Sequence, residues 1–132
     1  MTHMDPRLGG ATQEVRRQGP PLAIDLAFER AVFRHPRLSI FRRNATTWEV
    51  LLILAAVPEP EGPGLYEVVE TAETNALGRS ALLRFLRERR DEGTILFTRN
   101  PHKQSKWSLA LRADLRQDLV NLLKERGDCH RG

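Results

Sequence analysis

Apolar residues recur at helical spacing in four stretches of this chain, fill a fifth almost all round, and alternate with polar residues in a sixth. Behind Pro20-Pro21, which a helix tolerates in its first turn, Leu22, Leu26, Phe28/Glu29 and Val32/Phe33 make an amphipathic stripe that Pro36 interrupts or ends. Leu38 to Arg43 reads as a short, partly apolar connector. Thr46-Thr47-Trp48-Glu49 fits a capping box, with Thr46 as N-cap and Glu49 reaching back to its amide. The helix that follows, Trp48 to Ala56, is apolar nearly all round and is expected to be the buried central one. Pro58-Glu-Pro-Glu-Gly-Pro-Gly64 is a loop. Leu65, Val68, Val69 and Ala72 then predict a short helix with an acidic outer face, and Thr71 to Ala76 its turn. Leu82, Leu83, Phe85 and Leu86 form the buried stripe of the next helix, with Arg79, Ser80, Arg84 and Arg87 off it. Gly93 ends that helix as a C′ residue, and β-prone Thr94 to Thr98 follows. The chain turns at Asn100-Pro101 and returns through alternating Trp107, Leu109 and Leu111. A last helix, Arg112 to Glu125, carries Leu115, Leu119, Leu122 and Leu123. The predicted fold is mainly α, with one small two-stranded β element.

A length of 132 residues fits one domain, drawn over 20–127 between a flexible arm at 1–19 and a tail at 128–132. Hydrophobic residues at 40% and charged residues at 29% are ordinary for a globular chain. The longest apolar run, Val50 to Val57, falls far short of the roughly 18 residues of a membrane span. The polar N-terminus lacks the apolar segment of a secretory signal, so a cytoplasmic location with no membrane partner is expected. Cys129 stands alone, which excludes an intramolecular disulfide framework; it reads as a bystander thiol, a redox switch being the other reading. His3, His35, His102 and His130 are scattered without ligand spacing, so no metal or other cofactor is expected. Gly62-Pro-Gly64 sits in an acidic, proline-rich turn unlike a phosphate loop. With no supported Ser/His/Asp set either, no enzyme is expected.

Charge is the part of the composition that bears on function. Between Val57 and Asn75 stand five glutamates and no lysine or arginine. From Ala76 to Trp107, Arg79, Arg84, Arg87, Arg89, Arg90, Arg99, Lys103 and Lys106 oppose only Glu88, Asp91 and Glu92. A helix that buries one face and turns arginines outward, followed at once by a basic hairpin, suits a DNA groove and its phosphate rims. Arg79, Ser80, Arg84 and Arg87 are the groove candidates, because the arginine fork can bond guanine O6 and N7 together. Arg99, His102, Lys103 and Lys106 are the hairpin candidates for phosphate or minor-groove contact. Arg89 and Arg90 fit either a capping or ion-pair role or a DNA role. Trp48 and Trp107 read as core or hinge residues rather than base-stacking platforms.

Three blocks resemble the MarR (multiple antibiotic resistance regulator) family. Thr47-Trp48-Glu49-Val50-Leu51-Leu52-Ile53-Leu54 resembles its Leu-Thr-x-x-Gln-x-x-Val-Leu helix. Leu77-Gly-Arg-Ser-Ala-Leu-Leu-Arg-Phe-Leu, leading to Gly93-Thr-Ile, resembles its recognition helix and the start of its wing. Ser108-Leu-Ala-Leu111 resembles its second wing strand, followed by a dimerisation helix. The chain departs from the family in a lengthened segment between Leu65 and Leu77 and in Arg89 at a core leucine position. It also carries Gln104-Ser105-Lys106 in place of the wing's Asp-x-Arg, Leu111-Arg112 for its closing Leu-Thr, and a single C-terminal helix. The resemblance implies a winged helix-turn-helix, with a recognition helix at about 77–91 and a wing at about 94–111. It implies a homodimer joined by its terminal helices, binding double-stranded DNA as a transcriptional regulator, and a small-molecule effector between its dimerisation and DNA-binding parts. The alternative is a winged helix used as a protein-interaction module through the acidic face of residues 59–73.

Overall fold

The computed structural model describes the side chains of residues 21–57, 62–99 and 107–128, and the backbone alone at 100, 103–106 and 129–131. The arm expected at 1–19 lies outside the described residues. Six helices and one hairpin follow in order: α1 (21–34), α2 (Leu38–Arg42), α3 (Ala45–Ala56), α4 (Leu65–Thr71), α5 (Arg79–Asp91), β1 (Ile95–Asn100), β2 (Lys103–Leu111) and α6 (Ala113–Arg131). The fold is mainly helical with a two-stranded antiparallel sheet.

Two local expectations are corrected. The segment expected as a connector is the short helix α2, and its Leu38 and Phe41 are fully buried. Five residues span little more than one turn, too few to display a period. No side chain of its N-cap residue Arg37 caps it; instead Nδ1 of His35 accepts from the amides of Arg37 and Leu38 at 3.2 and 3.3 Å. The capping box on Thr46 and Glu49 is also displaced. Asn44 is the N-cap of α3, its Oδ1 accepting from the amides of Thr46 at 2.8 Å and Thr47 at 3.4 Å. An asparagine two positions earlier supplies the same acceptor, and it releases Thr46 and Glu49 for longer-range bonds.

The core is gathered around α3, where Val50, Leu51 and Leu54 are wholly buried and Leu52 faces out. Phe28 and Val32 of α1, Leu65 and Val68 of α4, Leu82 and Leu86 of α5, and Leu115 and Leu119 of α6 join it. Burying one such side chain contributes roughly 1.5–3 kcal/mol. In α1 the expected stripe splits. Phe28 and Val32 turn inward, whereas Leu22, Leu26 and Phe33 are exposed, Phe33 to 81%. The helix therefore carries two apolar faces, of which the domain covers one.

In the hairpin, Ile95 pairs with Leu111, Phe97 with Leu109 and Arg99 with Trp107, with an irregularity after Arg99. Pro63 and Gly64 lie along its outer edge: the Leu109 amide donates to the Pro63 carbonyl at 2.8 Å, and Gly64 bridges Ser108. A Cβ at Gly62 would fall 2.0 Å from the Leu109 carbonyl oxygen, so only glycine lets the chain approach β2 this closely. The carboxylate of Glu67 accepts from the Gly64 amide at 3.0 Å and starts α4. In α6, Nε of Arg116 donates to the Ala55 carbonyl at 2.9 Å and ties this helix to the end of α3. Among the described residues, no helix is long and apolar enough to cross a membrane.

Candidate nucleic-acid interface

The phase of α5 against the core decides what each of its arginines can do. Leu82 and Leu86 are buried and Phe85 packs edge-on against Phe41 at 5.3 Å, which fixes the inner face. At 100° per residue, Ser80, Arg84 and Arg87 fall within about 60° of one another on the opposite face. All three are exposed. Among the described residues, no carboxylate pairs with Arg84 or Arg87. Arg79 stands at the margin of this face, 3.8 Å from Glu70 and 5.6 Å above the ring of Tyr66.

Toward the C-terminal end, the arginines are engaged. Arg89 points inward and is only 12% exposed, with its guanidinium 4.7 Å over Phe85 and 3.0 Å from Glu92. Among the described residues its Nε is buried without a hydrogen-bond partner. Of the two roles the sequence left open for Arg89, the structure shows the ion pair. Arg90 lies 3.2 Å from Asp91 and 5.3 Å over Phe97. The helix then stops at Gly93, whose φ of 81° is left-handed. The Gly93 amide donates to Arg90 and the Thr94 amide to Arg89, both at 2.9 Å, which satisfies carbonyls the helix end would otherwise strand.

The start of α5 is set by the segment before it, 72–78, and α3 holds that segment. Glu49 accepts from the amides of Glu73 at 2.7 Å and Thr74 at 2.8 Å, and from the Thr74 hydroxyl at 2.7 Å. The Ala76 amide donates to Oγ1 of Thr46 at 3.0 Å, and Nδ2 of Asn44 donates to the Ala76 carbonyl at 3.1 Å. The Glu73 amide, then the Thr74 hydroxyl and amide, hold the Glu49 carboxyl below its ordinary range. A polar clamp therefore aims α5, and it uses the residues whose spacing suggested a capping box. Nothing in the sequence separates the two uses, because both require an acceptor near a helix start.

On the hairpin, Arg99 is exposed and its guanidinium lies 4.7 Å over the ring of Trp107. Trp107 is 40% exposed and so is not a core residue, whereas Trp48 packs against the core beneath Arg42. Lys103 and Lys106 belong to β2 by backbone, but their side chains, and the whole of His102, lie outside the described residues. So do Glu59, Glu61, His3 and the side chains of Cys129 and His130. Within the expected acidic face, Glu67 is used in starting α4 and Glu70 in pairing with Arg79. Tyr66, off the apolar stripe of α4, was not singled out from the sequence; its only signal is that offset. No group of three or more potential metal ligands occurs among the described residues. No protein-family model matches this chain, nor does the sequence of any curated protein.

Proposed function

We propose that this protein is a winged-helix, MarR-like transcriptional regulator that binds double-stranded DNA as a homodimer in the cytoplasm. The observation that carries the reading is the outer face of α5. Ser80, Arg84 and Arg87 point together from a rigid helix, with no carboxylate engaging the two guanidinium groups among the described residues. In this reading α5 enters the major groove and the hairpin lies on the flanking backbone or minor groove. Arg84 and Arg87 supply base-edge or phosphate bonds, and Arg79 joins them by leaving Glu70. The exposed stripe of α1 (Leu22, Leu26 and Phe33) meets its copy in a second subunit and removes an apolar surface from water. Two recognition helices then address half-sites about one helical turn apart.

The small effector of this reading would sit against the two terminal helices rather than between them and α5. Ala31, Arg34, His35, Asp118, Asn121 and Leu122 line a groove of about 470 Å³ where α1 meets α6. The protein-interaction alternative is the weaker reading, because Glu67 and Glu70 of its acidic face are already engaged within the fold.

Fluorescence anisotropy with a pooled random duplex at two salt concentrations tests the proposal. Binding is expected to weaken steeply with salt, each phosphate contact adding about 0.9 to the log–log slope. A duplex that fails to bind at low salt overturns the proposal. Sedimentation equilibrium of Leu26→Glu addresses the dimer, and a monomer is the expected result.

A further inference from the structure

The sequence places Trp107 with the core-facing positions of the returning strand, yet the structure leaves two fifths of it exposed. A lone exposed aromatic is common and carries no meaning by itself. The surroundings of this one set it apart. Cross-strand partners share a sheet face, so Ile95, Phe97 and Arg99 lie on the same side as Leu111, Leu109 and Trp107. At the base of the hairpin this face is buried as Ile95, Leu111 and Leu109. Farther out it becomes Phe97 beneath Arg90 at 5.3 Å, and then Trp107 beneath Arg99 at 4.7 Å. The apolar face of the hairpin thus continues past the core as alternating rings and guanidinium groups. It sets out from the side that meets α5, since Arg90 belongs to that helix.

This ridge has the chemistry of a polyanion contact that also stacks. A water-exposed indole offers a broad apolar face, and the Arg99 guanidinium stacked on it attracts phosphate. An acidic partner peptide supplies charge but at no fixed repeat. A duplex backbone supplies both, with a phosphate at every nucleotide and the apolar edge of a sugar beside it.

We infer that Trp107, with Arg99 stacked on it, is a nucleic-acid contact that packs against the sugar–phosphate strand of a duplex beside the groove occupied by α5. This rests on the DNA-binding reading above and extends the hairpin's role from charge alone to aromatic packing.

The chain holds two tryptophans, so 5-fluorotryptophan labelling of the full protein gives two fluorine resonances. Trp107→Phe and Trp48→Phe assign them independently. Anisotropy of a labelled duplex in the same titration reports binding as such. The expected result is that the Trp107 resonance moves along the binding curve while that of Trp48 stays. Trp107→Ala is expected to weaken duplex binding about tenfold, and Trp107→Phe less than threefold, from the apolar area each removes from the contact. A bound duplex that leaves the Trp107 resonance in place overturns the inference and spares the DNA-binding reading. So does a single strand that shifts it further than duplex at equal salt, because the ring then serves unpaired bases. A duplex that does not bind overturns both.

Discussion

Two faces of α5 carry the same residue type and put it to opposite uses. Arg84 and Arg87 stand on the outer face without a carboxylate partner among the described residues. Arg89, two residues after Arg87, lies inside against Phe85 and Glu92, and Arg90 is shared between Asp91 and Phe97. The entrance of the helix is held by a polar clamp from α3, its exit by a left-handed glycine. An arginine-rich helix is therefore not uniformly a binding surface. Position around the axis, at 100° per residue, separates arginines that can meet a ligand from those that serve the fold.

The largest test of this division is the double substitution Arg84→Ala with Arg87→Ala. Each arginine contributes roughly 1–3 kcal/mol if it reads a base, so specific duplex affinity is expected to fall about a hundredfold. Urea denaturation is expected to shift by less than about 0.5 kcal/mol per site, as for surface substitutions. Equal losses from Arg84→Ala with Arg87→Ala and from Arg89→Ala would erase the division.

Next comes the clamp. Glu49→Ala leaves the Glu73 and Thr74 amides without their acceptor and is expected to destabilise the fold by about 1–3 kcal/mol in denaturant titrations. The pH dependence has a definite sign. The Glu49 carboxyl is depressed in the folded state, so its stabilisation is complete above the ordinary value of 4.5 and is lost as pH falls through the lowered one. In Glu49→Gln this acid-side loss is expected to disappear when stability is compared between neutral and acidic buffer. Gly93→Ala is expected to cost about 1–2 kcal/mol, because a Cβ opposes the left-handed conformation although nothing crowds the site. Thermal unfolding measures it.

The smallest effect is expected at Arg89→Leu. A nearly buried cation whose Nε has no partner among the described residues is replaced by a shorter, apolar side chain. Stability is expected to stay level or rise by about 1 kcal/mol, and duplex affinity to stay within twofold. A tenfold loss of affinity would move Arg89 into the binding surface.

Much of this architecture was legible in the residues. The apolar spacing of Leu65, Val68 and Val69, and of Leu82, Phe85 and Leu86, located α4 and α5. Alternation at Trp107, Leu109 and Leu111 located the returning strand. The stop at Gly93 was legible because a residue past a helix end needs a conformation that glycine adopts freely. Of the outward set Arg79, Ser80, Arg84 and Arg87 given by the same periodicity, the last three share one face, because a helix of known phase fixes its opposite face, while Arg79 lies at its margin against Glu70.

Other features were not legible, for two reasons. Helix α2 is too short to show a period, and its end is satisfied by His35, outside its own span. The partners of Thr46 and Glu49 lie some 25 to 30 residues away, and a capping box and a clamp ask for the same residue types. For Trp107, alternation gives the side of the strand but not how far the core extends beneath it. The sequence by itself determined the longer helices, the returning strand and which side of α5 faces outward, since these follow from local period and backbone preference. Only the tertiary structure decided that Arg89 is used inside, that α3 aims α5 and that Trp107 lies beyond the core, because each depends on contacts between distant parts of the chain.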